Sequence, residues 1–337
     1  MTATSGVKTL RKIQLGREAT ALTAVPATTV FRGPALMPMD DQVKVMPEEN
    51  IGFSSKVTRQ YTPKKLASMA FPSTEATFQQ FLHFLEAGVK TDTPAQDGTG
   101  SDYIYEHALP SGDSNTIKTY TIEGGDQKTV EEMEGAFVVD FELSGKKNEA
   151  IMMAANWQGR QASGASFTGG LSIPTVSEML FNKSKIYIDN VGGTIGATQI
   201  TNSWLEFSLK VTTGLKAQFT GDGNLYFSFI DFVGAKATLD LTFLHNSTIA
   251  AERTLWRADT PRQIRILTEG RTLGTPGTTY SKETFIADMA GLYTSFGPPN
   301  DEDEGSNVMK ASFECAYDAT AALFVEFLTA VELSAIP

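Results

Sequence analysis

The sequence contains little chemistry that could cross-link a fold. It has one cysteine, Cys315, which excludes an intrachain disulfide, and three histidines, His83, His107 and His245, which leave little material for a zinc site. No stretch approaches the roughly 18 to 20 uncharged apolar residues of a membrane span, and the N-terminus has no apolar signal-peptide core. We therefore expect a chain that folds in a cytoplasm and is held together by packing.

Recognisable catalytic motifs are also missing. GASFTGG at 164–170 lacks the spacing of a nucleophile elbow, and TGDGNL at 220–225 lacks the lysine of a phosphate-binding loop. The acidic run 301–304 lacks the alternate spacing and distal glutamate of a calcium loop. Adjacent acids occur, but only their separation across a cleft would make a glycosidase. We expect no enzyme activity, no cofactor and no metal.

Basic residues are outnumbered by acidic ones. The chain has 28 lysines and arginines against 39 aspartates and glutamates, a formal net charge of -11. Such a surface repels the phosphate backbone of nucleic acid. Nucleic-acid binding is therefore not expected.

What the sequence does contain is alternation of apolar and polar residues. In AFVVDFELS at 136–144, Phe137, Val139, Phe141 and Leu143 share one face, and WLEFSLKV at 204–211 follows the same pattern. Ten further segments with strand character are KLASMAF, KTYTIEG, AIMMAANW, KIYID, NLYFSFI, KATLDLTF, RQIRILTE, TFIADMAGLY, VMKASFECAY and FVEFLTAVEL. So many short strands predict a mainly β protein built from sandwiches or barrels.

Two segments have helical periodicity, and they stand in similar contexts. EATFQQFLHFLEAG at 75–88 and STIAAERTLWRAD at 247–259 each follow one strand and precede several others. This order predicts an internal duplication, with an N-terminal arm at 1–27, a first domain at 28–170 and a second at 171–337, each domain having one flanking helix. The arm and the loop 89–117 lack apolar periodicity, and we expect both to become ordered only on assembly.

Several segments resemble the major tail-tube proteins of long-tailed, siphovirus-like bacteriophages. They are LGREATALTAVPATTVFRG, EGAFVVDFELSGKKNEAIMMAANWQGRQ, KIYIDNVGGTIGATQITNSWLEFSLKV, TGDGNLYFSF and RQIRILTEG. None is specific alone, and their order along residues 14–270 carries the resemblance.

The resemblance implies a structural virion protein whose domain is two packed β-sheets with a flanking helix. Six such domains close a ring, and rings stack into a tail tube through which DNA is ejected without specific binding. Because this chain has two predicted domains, a trimer with pseudo-sixfold symmetry is expected rather than a hexamer. The other implied partners are the tape measure and tail terminator proteins, and the implied location is the virion tail, assembled in the host cytoplasm.

Acids on the polar faces of predicted strands are candidates to line the channel. Each faces away from an apolar strand face, towards either the lumen or the exterior. The candidates are Asp140, Glu142, Glu206, Asp240 and Glu314.

Two alternative functions stay open. Another phage shell component, such as a capsid decoration protein or a capsid subunit, is one, although a capsid subunit needs a longer helix than any predicted here. A carbohydrate-binding β-sandwich is the other, with Trp157, Trp204 and Trp256 as stacking platforms.

Overall fold

A computed structural model describes residues 5–34, 36–55 and 57–337. The prediction of a mainly β fold is confirmed, and two α-helices accompany the strands in these residues. The elements before residue 170 are β1 (Lys12–Arg17), β2 (Thr29–Phe31), β3 (Met39–Val45), β4 (Tyr61–Glu75), α1 (Phe81–Gly88), β5 (Ala95–Gln96), β6 (Tyr103–Ala108), β7 (Tyr120–Gly125), β8 (Val130–Lys146), β9 (Met152–Gly159) and β10 (Gln161–Gly164). Those after it are β11 (Ser184–Asn190), β12 (Gln199–Ile200), β13 (Trp204–Thr212), β14 (Leu215–Gln218), β15 (Phe229–Phe232), β16 (Lys236–Leu244), α2 (Ser247–Arg257), β17 (Arg262–Thr272), β18 (Lys282–Phe296), β19 (Asp301–Asp303), β20 (Ser306–Cys315) and β21 (Val325–Val331).

Eight strands form one continuous antiparallel sheet, which we call the long sheet. Its order is β3–β4–β9–β8–β13–β16–β20–β18. The two halves of the chain meet in it where β8 pairs with β13, with Leu143 opposite Leu209 and Glu142 opposite Lys210. We call this pairing the internal junction. It makes the two halves one sheet rather than two separate ones.

Two side sheets branch from the long sheet because β8 and β18 each take part in two sheets. Residues 131–134 of β8 lie between β7 and β10, with β1 and β2 beyond β7. Residues 284–289 of β18 lie between β17 and β21, with β11 and β12 beyond β17 and β6 and β5 beyond β21. A register irregularity follows in each, between Val138 and Asp140 in β8 and between Tyr293 and Ser295 in β18.

The two halves therefore share an order of elements. Each half begins with a short strand pair, continues with two strands of the long sheet and then has its helix. After the helix come a strand of the side sheet, the strand shared by both sheets (β8 or β18) and one more strand of the long sheet. Each helix also holds a buried glutamate that is bonded to an arginine. Glu86 of α1 accepts hydrogen bonds from Arg17 Nε at 2.8 Å and Tyr120 Oη at 2.6 Å, and Glu252 of α2 accepts from Arg262 Nε at 3.0 Å.

The two helices differ in how deeply they lie. Every residue of α1 is buried, and the ring of Phe81 meets Phe141 at 5.7 Å from the first half and Phe285 at 5.6 Å and Phe327 at 6.5 Å from the second. The buried residues of α2 are Ile249 and Glu252. The second half thus covers the helix of the first, whereas one face of α2 is left to solvent.

Two segments expected to be aperiodic contain strands. Lys12–Arg17, placed in the N-terminal arm, forms β1 between β2 and β7, and the expectation is wrong for these residues. Tyr103–Ala108, placed in the loop 89–117, forms β6 on β21. Both strands are short, so alternation is weak, and each is added to a sheet whose other strands come from distant sequence. Residues 1–4 of the arm lie outside the described residues.

Candidate functional site

The five acids selected from the sequence lie on one face of the long sheet. Asp140 and Glu142 are on β8, Glu206 on β13, Asp240 on β16 and Glu314 on β20, four strands that are neighbours in the sheet. The intervening residues of these strands are buried in the core, because side chains alternate between the two faces. The structure therefore brings all five together on the polar face opposite the core.

Short polar side chains hold several of these carboxylates. Ser208 Oγ donates to Glu142 Oε1 at 2.7 Å, and Ser312 Oγ donates to Asp240 Oδ1 at 2.7 Å. Asn156 Nδ2 donates to Asp140 Oδ1 at 2.7 Å. Each bond joins two adjacent strands, so the carboxylates lie along the sheet instead of projecting freely from it. The face is a cross-strand ladder of small hydrogen-bonding groups.

Lysines that are absent from the sequence candidates interleave with the acids on the same face. Lys210 lies opposite Glu142, and Lys146 lies opposite Glu206. Lys236 Nζ is 3.2 Å from a Glu314 carboxylate oxygen. Lys310 lies opposite Thr242, which shares the face with them. The alternation that selected the acids could have found these lysines too. On these four strands four ammonium groups stand beside five carboxylates, and Lys310 is also paired with Asp301 of β19 at 2.8 Å, so most of the charge is offset.

The chemistry of this face is that of a surface and not of a catalytic centre. Its groups are carboxylates, ammonium groups, hydroxyls and amides that pair across strands. Across residues 5–34, 36–55 and 57–337, no group of three or more histidine, cysteine, aspartate or glutamate side chains is arranged to hold a metal ion. The helices of the described chain include none that is long and apolar enough to cross a membrane.

The three histidines lie apart from the polar face. His83 is buried in α1, its Nδ1 is 3.2 Å from Tyr120 Oη, and desolvation lowers its pKa to about 3. His107, expected in a solvated loop, is instead buried on β6 opposite Phe327, because β6 joins the second side sheet. Burial lowers the pKa of His107 to about 4. His245 is exposed at the junction of β16 and α2.

The tryptophans are not exposed platforms. Trp157 is buried against Phe71 at 5.6 Å and Tyr120 at 5.7 Å. Trp204 and Trp256 are half-buried and pack against the core. The acidic run 301–304 is paired as well, since Lys147 Nζ contacts Asp303 at 2.5 Å and Glu304 at 3.1 Å. A carbohydrate-stacking role for these tryptophans finds no support in this geometry.

The long sheet ends in two open edges. In the part of the chain that the structure describes, β3 pairs with β4 alone, and the stretch Leu292–Phe296 of β18 pairs with β20 alone. Exposed large apolar residues gather near the first edge, in and around β3 and the connection that follows it: Leu36, Met39, Val43, Met46, Ile51, Phe53, Val57 and Tyr61. Leu292 lies at the second edge and is 40% exposed. Open edges with apolar side chains favour pairing with another chain.

The comparison with known families decides the class. A family model described as phage tail tube protein matches residues 9–316. This range includes every strand of the long sheet. The chain belongs to the phage tail tube protein family. A search of curated proteins finds no match. As a tail tube protein, it is a structural component of the phage virion tail. Membership of this family implies self-assembly into a tube that contacts other tail proteins.

Proposed function

We propose that this tail tube protein closes into rings of three subunits, which stack to form the tube. The observation that supports this most is the pair of open edges, β3 at one end of the long sheet and Leu292–Phe296 at the other. The internal junction joins the same two kinds of edge, because β13 has in the second half the place of β3, and β8 has in the first half the place of β18. A head-to-tail contact between chains would repeat it.

The internal junction also supplies a register for that contact. Asp140 follows the irregularity of β8 as Ser295 follows that of β18. Thr212 and Asp41 are equivalent, because each lies opposite the residue that precedes a buried alanine in the neighbouring strand. Since Thr212 lies opposite Asp140, the repeated junction would set Asp41 of one subunit opposite Ser295 of the next.

The number three rests on the division into a first domain at 28–170 and a second at 171–337, after an arm at 1–27. Two domains per chain make six in a trimer, the number that the family resemblance implies for a ring. The helices support closure: Phe285 and Phe327 cover α1 within the chain, and a neighbour's first side sheet would cover the open face of α2 in the same way.

The polar face of the long sheet would line the lumen. Helices and side sheets pack on the other face, which leaves Asp140, Glu142, Glu206, Asp240 and Glu314 with their interleaved lysines as the free surface. A near-neutral lining gives DNA phosphates few uncompensated cations to bind, so DNA would pass without specific contact. We infer no enzymatic role. Assembly in the host cytoplasm, with tape measure and terminator proteins as partners, completes the proposal.

Native mass spectrometry and averaged top views in negative stain test the ring. We expect three subunits per ring and six similar lobes in projection. Six subunits per ring would refute the trimer, and a monomer at every concentration would refute self-assembly through the open edges.

A further inference from the structure

A hairpin of the second half packs on the first half of the same chain, and the proposed ring would repeat this contact between neighbouring chains. Residues 213–235, which hold β14, β15 and their connection, form a segment that we call the second hairpin. It lies on the first half of the chain: Lys65 N donates to Leu225 O at 2.9 Å, and the ring of Phe227 meets that of Phe137 at 6.0 Å. Phe227 and Phe137 are both fully buried by this contact.

The residue equivalent to Phe137 in the second half is Leu292. Phe137 immediately precedes Val138, where the irregularity of β8 begins, and Leu292 immediately precedes Tyr293, where that of β18 begins. The two positions differ in cover. Phe137 is buried beneath the second hairpin, whereas Leu292 is 40% exposed.

The corresponding segment of the first half is the connection 46–60 between β3 and β4, which we call the first hairpin. Within it, Val57 is equivalent to Phe227. Val57 precedes Met69 of β4 by the same number of residues by which Phe227 precedes Leu239 of β16. Met69 lies opposite Trp157 and Leu239 opposite Phe313, and these two partners lie opposite Val138 and Tyr293. Val57 is exposed, as are Ile51 and Phe53 nearby.

We propose that the first hairpin of one subunit docks on the second half of its neighbour in the same ring, with Val57 against Leu292. The inference rests on the proposed ring and adds the surface that holds it together beyond strand pairing. The occupant is a second copy of this chain, because the second hairpin already makes the equivalent contact within the chain and the free partners at both ends are apolar. Burying them removes apolar surface from water at each of the three subunit contacts.

Engineered cysteines test the contact. The variant carries Val57→Cys and Leu292→Cys in a chain whose only native thiol is removed by Cys315→Ala, and assembled protein is oxidised and run on a non-reducing denaturing gel. We expect covalent species that end at three subunits. The control pair, Ile173→Cys with Leu292→Cys, combines two exposed positions between which the proposal makes no contact, and it should remain monomeric.

Each other outcome overturns a distinct claim. A ladder beyond three subunits would place the hairpin on the next ring, and a fast-migrating monomer would place it on its own chain. Rings seen by microscopy with no cross-link would refute the docking while leaving the ring intact, whereas a wild-type protein that forms no rings would refute the proposed function itself. As a second measurement, Leu292→Asp should raise the protein concentration required for ring formation at least tenfold, and Ile173→Asp should leave it unchanged. Equal assembly of both variants would also overturn the docking.

Discussion

Glu86 of α1 and Glu252 of α2 are each buried against an arginine. Glu86 is fully buried and bonded to Arg17 and Tyr120, so its charge has exchanged water for two protein donors. Such a pair adds little net stability, but removing one partner leaves an uncompensated buried charge. Each arginine is therefore needed to compensate the charge of the buried carboxylate beside it.

Replacing Arg17 by methionine should expose this dependence. We expect Arg17→Met to lower the free energy of unfolding by about 3 kcal/mol, because Glu86 loses its guanidinium partner while staying buried. Lys147→Met is the matched control: it breaks the pairs with Asp303 and Glu304 at the protein surface, where water replaces the lost partner, and should cost much less than Arg17→Met. Urea unfolding of both variants gives the comparison, and equal losses would contradict the role given to burial.

His107 should make the stability depend on pH. Its folded pKa of about 4 lies below the 6.5 of an unfolded chain, so the unfolded state binds the proton first. Its contribution is complete above pH 6.5 and is lost as pH falls towards 4, by about 3 kcal/mol in total. His107→Leu should lose less stability between pH 7.5 and 5 than the wild type in urea unfolding. Parallel losses would show that His107 is not responsible.

Among the elements, the helix α1 ties the two halves together. The ring of Phe81 touches one aromatic ring from the first half and two from the second. We expect Phe81→Ala to destabilise the whole chain by about 3 to 5 kcal/mol in a single unfolding transition. Ile173→Ala, at an exposed position in the connection between halves, should change it by less than about 0.5 kcal/mol. Two separate transitions would mean that the halves unfold independently.

Seven of the eight strands of the long sheet could be predicted because they alternate over many residues, whereas the edge strand β3 was not among the predicted segments. Phe141 and Leu143 on β8, and Phe207 and Leu209 on β13, mark the buried face without any knowledge of their partners. The short strands β1 and β6 could not, because they depend on neighbours far along the chain. Asn246 caps α2 by accepting a hydrogen bond from Ile249 N at 3.0 Å, and an asparagine just before a segment with helical periodicity is a signal that a sequence can carry.

The polar face was predictable in part. Alternation placed the five acids on one side, but their partners Ser208, Ser312 and Asn156 come from adjacent strands and required the register. The exposed hairpin apolar residues, such as Phe53, carried no period that sets them apart from a core strand. Sequence reasoning therefore found the surface and missed its neutralisation.

At the scale of the assembled molecule, the proposal that the polar face lines the lumen can be tested by reversing charge. Asp140→Lys with Glu142→Lys should leave folding and tube assembly nearly unchanged, because exposed charges contribute about 1 kcal/mol or less. DNA ejection should slow, and more so at low salt, because each added lysine offers a phosphate contact.

Lys210→Glu is the control for that variant, since it changes charge on the strand opposite Glu142 without adding a cation. Ejection kinetics from phage carrying each variant, measured across salt concentrations, decide between the two. Unchanged ejection with normal assembly would mean that these residues face outward or that lumen charge has no influence.

The internal junction has a consequence for how a ring would nucleate. In the proposed ring of three subunits, three of the six contacts between neighbouring domains would form when each chain folds, since β8 and β13 belong to the same polypeptide. Their partners are at a high effective concentration and lose no translational freedom in meeting. Three contacts remain, and two encounters in solution are enough to bring three subunits together, because the last contact closes within the complex. Formation of the proposed ring should therefore vary with a lower power of protein concentration than it would for six separate subunits, which would favour complete rings over fragments when the protein is dilute.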